Sequence, residues 1–257
     1  IVAGPCAVEG REQGLAIARA VERAGAAVLR GGGFKPRTSP YDFQGLGLPG
    51  IQLLAEARAE TGLPFISEVM TPRHIEPMYP LVDAFQVGAR NMQNYELLKS
   101  LSDVDKPVLL KRNPGATVEE WLLAAEYLLA GGNDQVILCE RGIRTFNTVT
   151  RYTLDLATVA LVKRETHLPV IVDPSHGTGD PALIAPMVRA SLAAGADGVL
   201  LEVHTDPAAA LSDGYQALRP GELAALVTEI EELAPLFGRR LAAAPTPPAS
   251  PTSSERA

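Results

Sequence analysis

The chain has 257 residues and a formal net charge of −7, with 46% hydrophobic and 21% charged residues. That composition supports one buried core of α/β-barrel size, with two domains of about 130 residues each as the alternative, and excludes disorder for the bulk of the chain. An acidic balance argues against a general nucleic-acid or anionic-membrane binder, so any anion site must be local.

No run approaches 18 uncharged apolar residues and no secretory leader pattern opens the chain, so no membrane span is expected and the expected compartment is the cytoplasm. The chain begins at Ile1 inside an apolar run, which leads us to expect further residues upstream. Cys6 and Cys139 are too few for a disulfide framework; two separate thiols are expected, with one disulfide as the alternative.

Short β-rich runs alternate with amphipathic stretches. Expected strands are Ile1–Ala3, Ala27–Leu29, Pro64–Ser67, Ala84–Val87, Pro107–Leu110, Gln135–Leu138, Pro169–Val172 and Gly198–Leu201. Expected helices cover 11–24, 50–61, 72–79, 93–101, 117–130, 149–166, 181–194 and 221–233. Thr117-Val-Glu-Glu120 reads as a capping box that starts the fifth helix. In the last helix Leu223, Leu226, Val227, Ile230 and Leu233 form one apolar stripe. Eight strand–helix units predict an α/β fold of one closed (β/α)8 barrel over 1–240 rather than a doubly wound sheet. Residues 241–257, rich in Pro, Ala, Ser and Thr, read as a disordered low-complexity tail.

Every expected strand is followed by reactive or ionic side chains. In order these are Gly4-Pro-Cys6, Arg30-Gly-Gly-Gly-Phe-Lys35-Pro-Arg37-Thr38-Ser39, Glu68, Gly88-Ala-Arg90-Asn91, Lys111-Arg112, Glu140-Arg141-Gly-Ile-Arg144, Asp173-Pro-Ser-His176 and Glu202-Val-His204. A barrel converges such positions on one mouth, where active sites of this fold are built. Arg30, Lys35, Arg37, Arg90, Lys111 and Arg141 would then share one bowl. Two like charges about 6 Å apart repel by roughly 3 kcal/mol at an effective dielectric near 20, so the bowl should hold phosphate or carboxylate, and two anionic substrates fit it better than one.

Cys6, His176, Glu202 and Asp213 follow the first, seventh and eighth strands, which meet when a barrel closes. One thiolate, one imidazole and two carboxylates suit a divalent metal of the Mn, Fe, Co or Zn class. His204 competes with Glu202, since residues two apart on a strand face the same way. His74 and His167 are expected at the surface, and Cys139 as a packed thiol. Gly31-Gly-Gly33 and Gly177-Thr-Gly179 match no nucleotide fingerprint, so no nucleotide cofactor is expected.

These motifs, with Leu201-Glu-Val-His-Thr-Asp-Pro207 and Leu211-Ser-Asp213-Gly added, resemble the 3-deoxy-D-arabino-heptulosonate-7-phosphate (DAHP) synthases, in the short type I form related to 3-deoxy-octulosonate-8-phosphate (KDO8P) synthase; the likeness covers residues 1 to about 237. The resemblance implies condensation of phosphoenolpyruvate with erythrose 4-phosphate, the first step of the shikimate route. It implies metal ligands Cys6, His176, Glu202 and Asp213. It implies that phosphoenolpyruvate is held by Gly88, Ala89, Arg90, Lys111 and Arg141 with Arg30 and Lys35 alongside, and erythrose phosphate by Lys35, Pro36, Arg37 and Thr38. Lys35 is then the expected proton donor to the new alkoxide and Glu68 the group that orients or activates water.

The likeness also implies a homodimer or homotetramer. Feedback control has no visible site, so a partner such as chorismate mutase, an upstream segment or no control at all are the alternatives. Rival readings are KDO8P synthase activity with arabinose 5-phosphate, a Schiff-base aldolase using Lys111, and a non-catalytic binding subunit.

Overall fold

The computed structural model describes residues 1–242, and within them eight parallel strands close into a barrel in chain order. The strands are β1 (Val2–Gly4), β2 (Val28–Arg30), β3 (Phe65–Glu68), β4 (Ala84–Val87), β5 (Val108–Lys111), β6 (Val136–Glu140), β7 (Val170–Val172) and β8 (Gly198–Glu202). Closure pairs β1 with β8, with Ala3 beside Leu201 and Gly4 beside Glu202. The principal helices are α1 (Arg11–Arg23), α2 (Leu48–Thr61), α3 (Ile75–Met78), α4 (Tyr95–Ser102), α5 (Val118–Ala130), α6 (Leu156–Glu165), α7 (Pro174–Thr178), α8 (Pro181–Ala193) and α9 (Pro220–Leu233). The tail expected over 241–257 lies, from residue 243 onward, outside the described residues.

Strand alternation divides the core in two. Outward residues such as Leu29, Phe65, Phe85, Leu110, Leu138, Val172 and Leu201 pack against the helices in one large cluster. Inward residues Ile66, Leu109, Cys139, Ile171 and Leu200 fill the barrel, joined by Val2, Val28, Ala84 and Ile137. Two residues further along each strand, on the same inward face, come Gly4, Arg30, Glu68, Gln86, Lys111, Arg141, Asp173 and Glu202. The period of two therefore stacks a polar layer on an apolar one at the C-terminal ends of the strands. Cys139 is the packed thiol expected, and both cysteines are free.

The differences from expectation have local causes. Strands β1, β2, β3, β5, β6 and β8 run one or two residues further than expected, because their terminal residues still take part in the ladder. The helix expected over 149–166 begins only at Leu156, where the Asp155 side chain accepts from Thr158 N and caps it. The helix expected over 72–79 is a 3-10 turn, Pro72–His74, followed by the single turn of α3. Helix α7 was not expected; Asp173 caps its start and Gly179, at φ 70°, ends it. The capping box at Thr117 is present, with both of its hydrogen bonds.

Candidate active site

Cys6, His176, Glu202 and Asp213 arrive from three parts of the chain and offer four donor atoms within 4.8 Å of one another. Cys6 Sγ lies 3.6 Å from His176 Nε2 and 3.3 Å from Asp213 Oδ2. Glu202 Oε2 lies 3.4 Å from His176 Nε2. The strand β1 can bring Cys6 there only with glycine at position 4, since a Cβ on Gly4 would lie 2.1 Å from Arg30 O. Asp213 adopts a left-handed conformation, φ 53°, and among the described residues no other non-glycine does so. His204 does not join the cluster; its Nε2 lies 3.6 Å from Glu9.

His176 is oriented from behind. Its Nδ1 lies 2.8 Å from Asp173 Oδ2, and its backbone N donates to Asp173 Oδ1 at 2.9 Å. A carboxylate at that distance favours the proton on Nδ1, which leaves the Nε2 lone pair facing the cluster. Burial holds the imidazole well below its usual value, so it is neutral at pH 7. Burial also raises the Cys6 thiol and pushes Glu202 up to about 7. Four donors this close in a buried pocket disfavour one another's ionised forms, and a divalent cation removes that penalty. The donor set therefore fits such a cation. Lys35 Nζ is seated against Cys6 Sγ and 2.9 Å from Asp213 Oδ2, supplying positive charge at the mouth of the cluster. Burial opposes its charge, but Cys6 and Asp213 hold it above its usual value, so Lys35 is an ammonium.

Around this cluster lies one bowl, lined by all six expected cations together with Pro36, Thr38, Glu68, Gly88 and Ala89. Some charges are already matched: Arg37 pairs with Asp42 at 3.1 Å and Lys111 with Asp173 at 2.5 Å. Others are not. Among the described residues Arg30, Arg37 and Arg141 each keep a buried Nη1 without a hydrogen-bond partner. Among the described residues Arg90 reaches only the Thr38 hydroxyl, at 3.4 Å. Buried guanidinium donors without acceptors are costly unless an anion completes them. Glu68 shares the bowl beside Gly88, where a Cβ would lie 1.9 Å from its Oε1, and burial raises its carboxyl despite Lys35 and Lys111 nearby.

The family model described as DAHP synthetase I family matches residues 1–237. The chain belongs to the DAHP synthetase I family. Phospho-2-dehydro-3-deoxyheptonate aldolase of Thermotoga maritima is 48% identical over 238 residues, which cover 93% of this chain and 70% of that protein. The crystal structure of the Thermotoga maritima protein of that name superposes with a TM-score of 0.90 at 45% identity, covering 94% of this chain and 70% of that one. At 34% identity, 2-dehydro-3-deoxyphosphooctonate aldolase of Nitratidesulfovibrio vulgaris aligns over 91% of each chain.

Sequence reasoning missed three members of this site. Arg151 lines the bowl, and Gln216, fully buried, donates to Glu202 Oε2 at 2.7 Å. The Tyr152 ring lies under the Arg141 guanidinium, 4.3 Å from it. Arg151 and Tyr152 were hidden by the expected helix over 149–166; the Asp155-x-x-Thr158 cap was the available signal that this segment precedes the helix. Arg112, quoted with Lys111, faces the other way and leaves the bowl. His74 is half-buried at the surface: it stacks on Phe34 with ring centroids 3.9 Å apart, which covers its Nδ1. His167 is exposed as expected.

Proposed function

We propose that this chain condenses phosphoenolpyruvate with D-erythrose 4-phosphate and water to give 3-deoxy-D-arabino-heptulosonate 7-phosphate and phosphate. The observation that carries this reading is the pairing of a four-donor cluster with a bowl of incompletely satisfied guanidinium groups. Cys6, His176, Glu202 and Asp213 would hold one divalent ion of the Mn, Fe, Co or Zn class. Such an ion supplies Lewis acidity to an aldehyde oxygen.

The chain's own side chains account for the rest. Arg90, Lys111 and Arg141, with Arg30, Gly88 and Ala89, hold the phosphate and carboxylate of phosphoenolpyruvate, and Lys35, Pro36, Arg37 and Thr38 hold the erythrose phosphate. C3 of phosphoenolpyruvate attacks the aldehyde carbon, and the Lys35 ammonium gives a proton to the new alkoxide. Water oriented by Glu68 adds at C2, and phosphate leaves with cleavage of the C–O bond. The raised Glu68 carboxyl is a stronger base than an ordinary one, which suits that role. Fixed cations meet the charge that develops on the phosphate without reorganising.

Loss of phosphoenolpyruvate absorbance, followed with each aldose phosphate before and after chelation, tests the reading. Turnover should require erythrose 4-phosphate and stop on chelation. Preference for arabinose 5-phosphate, or borohydride trapping at Lys111 with indifference to chelators, would overturn it. Among the described residues no helix is long and apolar enough to cross a membrane. We infer a cytoplasmic homodimer or homotetramer, with chorismate mutase as one candidate partner beside the alternatives of an upstream segment or no feedback control; sizing with and without that partner checks the assembly.

A further inference from the structure

The segment between β6 and α6 brings a second cation to the donor cluster, facing the Asp213 oxygen that Lys35 does not. Arg151 N donates to Thr178 O at 2.9 Å and Tyr152 N to Gly177 O at 2.9 Å, so residues 151 and 152 are bonded along α7. The approach is close because glycines line it. A Cβ on Gly179 would lie 2.8 Å from Arg151 Cβ, and one on Gly142 would lie 2.6 Å from Tyr152 Cβ. On its other edge the segment pairs with Ile143 through Thr153, at 2.9 and 3.0 Å. Packed on both sides, the Arg151 backbone has little freedom to shift.

From this base the guanidinium reaches one donor, Asp213, and one group behind the donors, Gln216. Nη1 donates to Gln216 Oε1 at 2.6 Å and lies 3.9 Å from Asp213 Oδ1. Gln216 is fully buried, and its Nε2 donates to Glu202 Oε2 at 2.7 Å. A side-chain amide has one accepting and one donating end. A guanidinium on the accepting end therefore fixes the donating end toward Glu202. Without it the amide gains a second orientation, with its oxygen against a carboxylate.

We propose that Arg151 and Gln216 form a positioning relay that sets Glu202 and Asp213 for the divalent ion. Resting on the metal-site reading above, the relay goes beyond it by assigning work to two side chains outside the four donors. Its second branch bears on Asp213, whose left-handed backbone is a strained state that persists only where contacts hold it. The Arg151 guanidinium faces Oδ1 of that carboxylate, and Lys35 and Cys6 face Oδ2. The two carboxylates are thus gripped from one point, and that point belongs to the segment that begins at Arg141.

The test is metal affinity rather than turnover. Apo-protein is titrated with Zn(II) and Co(II) against a chromophoric chelator, for the wild type, Arg151→Met, Arg151→Gln, Gln216→Leu and the Arg151→Met/Gln216→Leu double variant. Melting of each apo form reports whether it folds. The relay predicts a loss of about 10- to 100-fold in affinity for each single variant, the range typical of groups that orient metal ligands. It also predicts a double variant no weaker than the worse single one, because one broken link already disables the chain of contacts. The thiolate-to-Co(II) absorption should persist, since Cys6 is outside the relay.

Affinity of the folded Arg151 variants equal to that of the wild type overturns the relay, as does a double variant whose loss is the product of the single ones. Unchanged affinity with a raised KM for one substrate would instead make Arg151 a substrate contact. Cys6→Ser separates this from failure of the underlying reading. If the wild type takes up no ion, or Cys6→Ser binds as tightly as the wild type, the metal centre itself is refuted.

Discussion

The tops of β5 and β6 carry two ionic clusters on opposite faces of the same strands, and their fates differ. On the outward face Arg112 Nη1 donates to Glu140 Oε2 at 3.1 Å and to Asp155 Oδ2 at 3.0 Å, while its Nε and Nη2 donate to Ala116 O at 3.2 and 3.1 Å. Glu140 Oε1 accepts from Gly142 N at 2.6 Å. Nearly every polar atom there has a partner from the protein. On the inward face Arg141 keeps an unpartnered Nη1, and Asp173 is shared by Lys111 and His176 beside an open bowl. Parity alone separates the two: 111 and 141 point in, 112 and 140 point out. The same residue types build a closed structural joint on one face and an incomplete, ligand-demanding one on the other.

Breaking the inward arrangement should cost activity before stability. Substituting His176→Ala removes a donor and the group that Asp173 orients, and Lys35→Ala removes the expected acid. Phosphate release should fall by about 10³-fold or more in each, as loss of several kcal/mol of transition-state stabilisation requires. Chelation of the wild type should reproduce the His176 result. Near-normal turnover in either variant would reject the assignment.

Breaking the outward joint should do the reverse. Arg112→Met strands Glu140 and Asp155 in a buried site, and removing one partner of a buried ion pair typically costs about 3–5 kcal/mol. For a chain of this length that lowers the melting temperature by about 6–20 °C. At a temperature where the variant is folded, its kcat/KM should stay close to that of the wild type. A large loss of kcat with unchanged melting would place Arg112 in the bowl after all.

Arg141→Met sharpens the contrast from the inward side. Its guanidinium is buried, over Tyr152, among other cations and without an acceptor for Nη1. Removing it relieves repulsion, so melting should hold or rise slightly. Loss of one preorganised donor to developing charge should lower kcat/KM by about 10²-fold. Salt or phosphate should stabilise the wild type more than this variant, since anions complete the bowl.

Much of this contrast was legible in the residues. The alternation of β-rich and amphipathic runs predicted eight parallel strands, and closure of β1 on β8 then brings Cys6 to His176 and Glu202 although 170 residues separate Cys6 from His176. Three cations of the bowl, Arg30, Lys111 and Arg141, were legible because each follows an apolar inward residue by two positions, and Lys35, Arg37 and Arg90 because they stand in the loops that follow strands. What escaped was nonlocal or short. Gln216 and Arg151 meet across 65 residues and carry no motif, and α7 has only five residues, too few for periodicity to register. The stacking of half-buried His74 escaped because its partner, Phe34, comes from the loop after another strand. Arg112 and Glu140 were read with the mouth because adjacency in sequence obscures opposite facing in a strand.

The smallest effect concerns the edge of the closed joint. Asp155 accepts from Thr158 N at 3.2 Å at the start of α6 and from Arg112 at 3.0 Å. Burial raises its carboxyl, but Thr158 and Arg112 hold it below its ordinary value. A carboxylate with a depressed folded-state pKa stabilises the fold fully above its unfolded value, about 3.9, and the contribution fades as pH falls through the folded value. Asp155→Asn keeps an oxygen for the helix cap and removes the charge facing Arg112, so about 1 kcal/mol should be lost at pH 7. Denaturant melts of the two proteins should differ most near neutrality and converge as pH falls through the folded-state value of Asp155. Stabilities that coincide at every pH would mean that the cap oxygen, rather than its ionisation, secures this end of the joint.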